Sequence, residues 1–143
     1  MEFLSKLLGH LPPAVFREFM VDEFGLAMPD VDAKTPKKEQ REQMEAVLSA
    51  LGVGERQRVE EVAERIVLLS DGAGQDVIDG FKDDIFDDAA REAFAAIPNQ
   101  YERALWLHIH EPVIFEEALN ARQADVFRQS ASCYSGFMAP ANL

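Results

Sequence analysis

The sequence predicts an all-α fold: a compact, irregular or orthogonal bundle of six to eight helices. Three observations carry this. Apolar residues recur at the i, i+3, i+4, i+7 spacing of one helix face. Glycine, proline and capping residues fall between those stripes rather than inside them. No segment alternates apolar and polar residues as a half-buried strand would. A chain of 143 residues, 48% hydrophobic and 28% charged, has the length and composition of one globular domain. At that size roughly 70% of the unfolded chain's surface is buried on folding, enough for a core without disulfides or metals.

The elements follow in order. Phe3, Leu4, Leu7, Leu8 and Leu11 share one stripe of a helix over 2–9, which is expected to pack on the core. Pro13 suits the first turn of a helix over 13–24 that Gly25 ends. Residues 25–35, GLAMPDVDAKT, read as an ordered loop pinned by Leu26, Met28 and Val31. Thr35 as N-cap and Pro36 at the first helical position open a helix over 36–51, with Met44, Val47, Leu48 and Leu51 inward. Gly52 and Gly54 separate it from a helix over 55–70, whose stripe is Val59, Val62, Ala63, Ile66 and Leu69. Gly72 and Gly74 precede a helix over 75–86 bearing Val77, Ile78, Phe81 and Ile85. A helix over 88–97 stops at Pro98. Asn99, with Glu102 three residues on, has the pattern of a capping box for a helix over 99–110. The last helix spans 112–130. Residues 104–109, ALWLHI, are apolar around most of the helix. This places 99–110 at the centre of the bundle with Leu105, Trp106 and Ile109 in the core.

Charge and cysteine content narrow the function classes. The net charge is −12, and a nucleic-acid backbone repels such a surface unless cations cluster strongly. The densest cationic stretch, Lys34, Lys37, Lys38 and Arg41, is interrupted by Glu39 and Glu42 and reads as a solvated helix start. No apolar run approaches the ~20 residues of a membrane span, and the amphipathic N-terminus has Lys6 as its one lysine or arginine. Neither nucleic acid nor a membrane is therefore expected as a partner. One cysteine, Cys133, excludes an internal disulfide and cysteine-based zinc fingers, and points to a reducing, cytoplasmic setting.

The most chemical-looking string is His108-Ile109-His110-Glu111. On a strand its histidines would point the same way and grip one metal. On a helix, at about 100° per residue, they lie about 200° apart. His108 and Glu111 share a face but supply only two ligands, and the Glu-x-x-His order of di-metal bundles is absent here. A half-buried histidine bonded near a helix end is the expected role, and no cofactor is expected. A second string, residues 71–92, sets eight acids against Lys82 and Arg91. It lacks the ligand register of a calcium loop. Asp87 or Asp88 is expected to cap the helix that begins there, while Asp83, Asp84, Asp87 and Asp88 together form a surface for a basic partner. The two glycines at 72 and 74 lack the preceding strand and lysine of a nucleotide loop. Residues 124–143 are rich in apolar and aromatic side chains and poor in charge. Phe127, Tyr134, Phe137 and Met138 are expected to dock on a partner protein or a second copy; the alternatives are that the segment folds back on its own bundle, or begins the contact with further chain if these residues open a longer protein.

A protein-interaction or regulatory module without catalysis fits these features best. The alternatives are a metal-dependent or acid–base enzyme around His108, His110 and Glu111, and an acidic mimic of nucleic acid. Because the HIHE string lies on a helical period, purified protein should hold no stoichiometric zinc, iron or manganese. One tightly bound ion per chain in metal analysis, lost in His108→Ala, would show the two histidines converging on one site.

Overall fold

The computed structural model describes residues 2–71, 87–124 and 127–128. Their regular structure is all helical, with no strand among the described residues. The helices are α1 (Glu2–His10), α2 (Pro13–Phe24), α3 (Lys37–Ser49), α4 (Val53–Ser70), α5 (Asp88–Ala95) and α6 (Gln100–His110). A seventh, α7, covers residues 112–124. The expected helix over 75–86 lies outside the described residues. Among the described residues no helix is long and apolar enough to cross a membrane.

One core collects residues from all of these helices. Leu4, Leu7, Leu8 and Leu11 are buried as the N-terminal stripe requires, with Phe3 packed at the edge. They meet Phe16, Met20, Met44, Leu48, Val59, Ala63, Ile66, Leu107, Ile114 and Phe115. Burying a large aliphatic or aromatic side chain contributes roughly 1.5–3 kcal/mol each, so this set outweighs any polar contact in the molecule.

The central helix is α4, not α6. It packs on α1 and on α6, with Ala63, Ile66, Val67, Leu69 and Ser70 buried along its C-terminal half. On α6 the burial runs through Tyr101, Ala104, Leu105 and Leu107. Trp106 is only half-buried against the core, and Ile109 is 52% exposed, contrary to the central placement expected for them. The apolar ALWLHI segment has two jobs: one face fills the core, and the other forms an open surface.

Local chemistry explains where the helices stop. Gly25 adopts φ 66°, the left-handed region that glycine enters without strain, and its N–H closes on the Val21 carbonyl. Pro13 occupies the first turn of α2 as expected. On α3 the expected Thr35 cap is displaced by one residue: Pro36 is the N-cap, no side chain caps it, and the Thr35 N–H instead donates to Asp32 in a turn. Loop 25–36 is held by buried Leu26 and Met28, by the buried Gln40 amide donating to the Asp32 carbonyl at 2.5 Å, and by Arg17 donating to the Pro29 carbonyl at 2.9 Å. Val31 is half-buried.

The remaining helix ends are closed from a distance. The Glu60 carboxylate on α4 accepts the Phe3 amide at 2.6 Å, capping α1. Arg41 donates to the Leu8 and Leu11 carbonyls at the other end of α1, at 3.0 and 3.2 Å. The cationic stretch is thus not a uniformly solvated helix start, because Arg41 is consumed internally. Arg58 donates to Phe24 at the end of α2, Arg56 to Ser49 and Leu51 at the end of α3, Arg122 to Asp71 after α4, and Arg103 to Ala95 and Ile97 at the end of α5.

Two substitutions separate core from cap. Phe16→Ala should lower stability by about 3–5 kcal/mol, the range for truncating a buried aromatic. Arg41→Met, which keeps the aliphatic stem, should cost about 1–2 kcal/mol for the lost charge-assisted bonds, and Arg41→Lys should recover little of it because one ammonium does not reproduce the fork. Urea denaturation gives both values. An Arg41→Met protein as stable as the parent would remove the capping role.

Candidate functional site

Helices α2 and α6 stand side by side. At their starts Asn99 donates from Nδ2 to the His10 carbonyl at 2.6 Å, and His10 stacks on Tyr101 with ring centroids 4.4 Å apart. Farther along, His108 of α6 reaches Glu23 of α2. The two helices therefore run in the same direction. The backbone of α2 packs on α1 and α3. Between α2 and α6 lies an open groove of about 660 Å³.

Its floor and walls are apolar: Phe19 and Leu105 are buried at the bottom, and Val15, Trp106 and Ile109 rise toward solvent. Its rim is acidic, with Glu18, Asp22 and Glu23 from α2 and Glu102 from α6. His108 and His110 complete it. Among the described residues no lysine or arginine lines the groove, nor any hydroxyl, thiol or amine side chain. Among the described residues, Glu18, Asp22 and Glu102 are not paired with any cation. Val113, at the start of α7, is a further exposed apolar side chain, 66% accessible.

The local sequence explains this arrangement. Asn99 accepts the Tyr101 and Glu102 amides at 2.9 and 3.1 Å, the expected N-cap, and so sets the rotation of α6 from its first turn. That rotation sends Leu105 and Leu107 inward and Ile109 outward. On α2, Phe16, Met20 and Phe24 face the core, while Val15 and Phe19 turn toward the groove. The acids of α2 then sit between these two apolar faces and the solvent.

His108 is half-buried. Its Nε2 lies 2.6 Å from Oε1 of Glu23, and its ring meets Phe19 and Phe115 edge-on, with centroids at 6.3 and 5.2 Å. An ionised carboxylate only accepts, so Nε2 carries the proton. His110 is exposed and lies over Trp106, centroids 5.0 Å apart. The two histidines thus engage different neighbours, although both border the groove. Glu111 follows α6, where its N–H donates to Leu107 and its carbonyl accepts from Phe115. Among the described residues no three histidine, cysteine, aspartate or glutamate side chains are grouped as a metal ion requires.

The other anticipated positions divide. Asp87 accepts the Ala90 amide at 2.8 Å and is the N-cap of α5, and Asp88 sits in that helix's first turn, where a negative charge opposes the helix dipole favourably. Phe127 is 74% exposed. Asp83, Asp84, Cys133, Tyr134, Phe137 and Met138 lie outside the described residues. The residues that sequence reasoning missed are those of α2: Val15, Glu18, Phe19, Asp22 and Glu23. Their signal was present, because PAVFREFMVDEF carries apolar residues around more of the helix than one core contact needs. Comparison with protein-family models, with curated proteins and with solved structures finds no match to this chain.

Trp106 is the single tryptophan and reports on the groove. Its emission should fall between that of a buried and a free indole. The acidic rim should attract a cationic quencher and repel an anionic one, so caesium should quench more effectively than iodide once each is scaled to free tryptophan amide, and the gap should close as salt shortens the Debye length. Equal quenching at low salt would show that the rim's charge does not act at Trp106.

Proposed function

We propose that this protein is a protein-interaction module without catalytic activity and that the groove between α2 and α6 receives a segment of another protein. The observation that carries this reading is that, among the described residues, the half-buried Val15 and Trp106 and the exposed Ile109 line an open apolar groove over a floor that is otherwise part of the core. Apolar surface left exposed and contiguous, rimmed by polar groups, marks interaction sites. Tryptophan set beside a pocket is also among the side chains most often dominant in binding energy.

Charge favours a different protein over a second copy. Two chains of net charge −12 meeting through this face would oppose carboxylate to carboxylate, and like charges across an interface cost affinity. The His108–Glu23 pair has the partners of an acid–base dyad. Among the described residues, however, no hydroxyl, thiol or amine side chain lines the groove beside it, and both rings that flank His108 hold it as part of the wall.

A photocrosslinking amino acid placed at 109 or at 113 in cells of the source organism should yield discrete heavier adducts, whereas the same group at the exposed Glu39 on α3 should not. The adducts should vanish in Trp106→Ala, which removes one wall. Adducts formed equally from all three positions, or from Glu39 alone, would refute the groove as the docking surface.

A further inference from the structure

Resting on that reading, we infer that the groove's occupant is a cationic amphipathic α-helix of about two to three turns, with one apolar ridge flanked by lysine or arginine. Length, floor and rim each restrict the choice. The lining runs from Val15 to Glu23 along α2 and from Glu102 to His110 along α6, which at 1.5 Å per residue gives a trough of about 13 Å, the length of two to three helical turns. A groove bounded by two parallel helices with an apolar floor takes a third helix by burying residues at i, i+3, i+4 and i+7.

The rim then sets the sign of the flanking charge. Glu18, Asp22 and Glu23 line one edge, Glu102 stands on the other, and among the described residues the lining carries no lysine or arginine. Glu18 and Asp22 are four residues apart on α2 and both exposed, so they present adjacent carboxylates along the trough. A helix bearing acids beside its ridge would place like charges within contact distance of them. One bearing lysines or arginines would satisfy carboxylates that have no cationic partner among the described residues. A basic surface without an apolar ridge would use the rim but leave the half-buried Trp106 and the exposed Ile109 facing water, so a helix satisfies more of the site than a simple nucleic-acid-binding surface would.

Three synthetic 14-residue peptides test this against the intact chain, with Trp106 emission and calorimetry as readouts. The first is an amphipathic leucine/lysine helix. The second has the same composition with the apolar periodicity scrambled. The third replaces every lysine by glutamate. The first should bind and shift Trp106 emission, with the other two at least tenfold weaker. Binding should fall at least tenfold in the Glu18→Lys/Asp22→Lys double variant and in Ile109→Asp, and also as salt is raised. All three substitutions lie at exposed positions, and circular dichroism should show unchanged helicity. Equal binding of the scrambled peptide would overturn the helix in favour of charge attraction alone. Equal binding of the glutamate peptide, or indifference to the rim reversal, would overturn the cationic assignment. If none of the peptides binds while crosslinks at 109 and 113 persist, the occupant is wrong and the docking surface stands. If the crosslinks fail too, both readings fall.

Discussion

The fold depends on arginine side chains that close helix ends other than their own. An α-helix leaves its last carbonyls without partners and its C-terminus partially negative, so each end needs donors, and cationic donors serve best. Helices α2, α3, α4 and α5 carry no basic residue in their own last turns. The donors arrive from elsewhere in the chain: Arg58 to α2, Arg56 to α3, Arg122 to α4 and Arg103 to α5, with Arg41 serving α1. Glu60 does the reciprocal work at the start of α1. Each bond ties one helix end to a neighbouring element, so the caps set relative position as well as satisfying carbonyls. The hydrophobic core supplies most of the stabilisation, but apolar contacts are non-directional, and these bonds add the direction.

This use of arginine shapes the surface. With Arg41, Arg56, Arg58, Arg103 and Arg122 directed at backbone carbonyls, and Arg65 paired with Glu116 over the Phe115 ring, few guanidinium groups remain to neutralise carboxylates elsewhere. Among the described residues the groove between α2 and α6 therefore receives acids without lysine or arginine beside them. Its apolar floor has a related origin. Helix α2 packs on α1 and α3, while α6 packs on α4. The start of α6 is tied to the end of α1 through Asn99 and His10, and α6 reaches α2 through His108 and Glu23, so the facing sides of α2 and α6 stay open between.

The functional reading therefore shifts from where composition alone placed it. The acidic string at 71–92 draws attention by density, yet Asp87 is spent on capping α5. The HIHE string draws attention by residue type, yet its histidines settle on Glu23 and Trp106, neighbours 85 and four residues away in the chain. The groove that joins both histidines to an acidic rim is composed of residues that look ordinary one at a time.

Much of the fold was legible in the sequence because helical order is local. The stripes at Leu4–Leu11, Met44–Leu48 and Val59–Leu69, the left-handed stop at Gly25 and the caps at Asn99 and Asp87 all depend on residues within about one turn of each other, and the structure keeps them. The start of α3 moved by one residue because proline there is compatible with either the cap or the first turn. What the tertiary structure alone decided is which apolar face is buried. Residues 104–109 are apolar nearly all round, so periodicity cannot say that Leu107 turns inward and Ile109 outward. That choice belongs to the Asn99 cap and to the packing of α4. Likewise no local pattern pairs Glu23 with His108 or sends Arg122 to Asp71, because such contacts exist only once helices distant in the chain lie side by side.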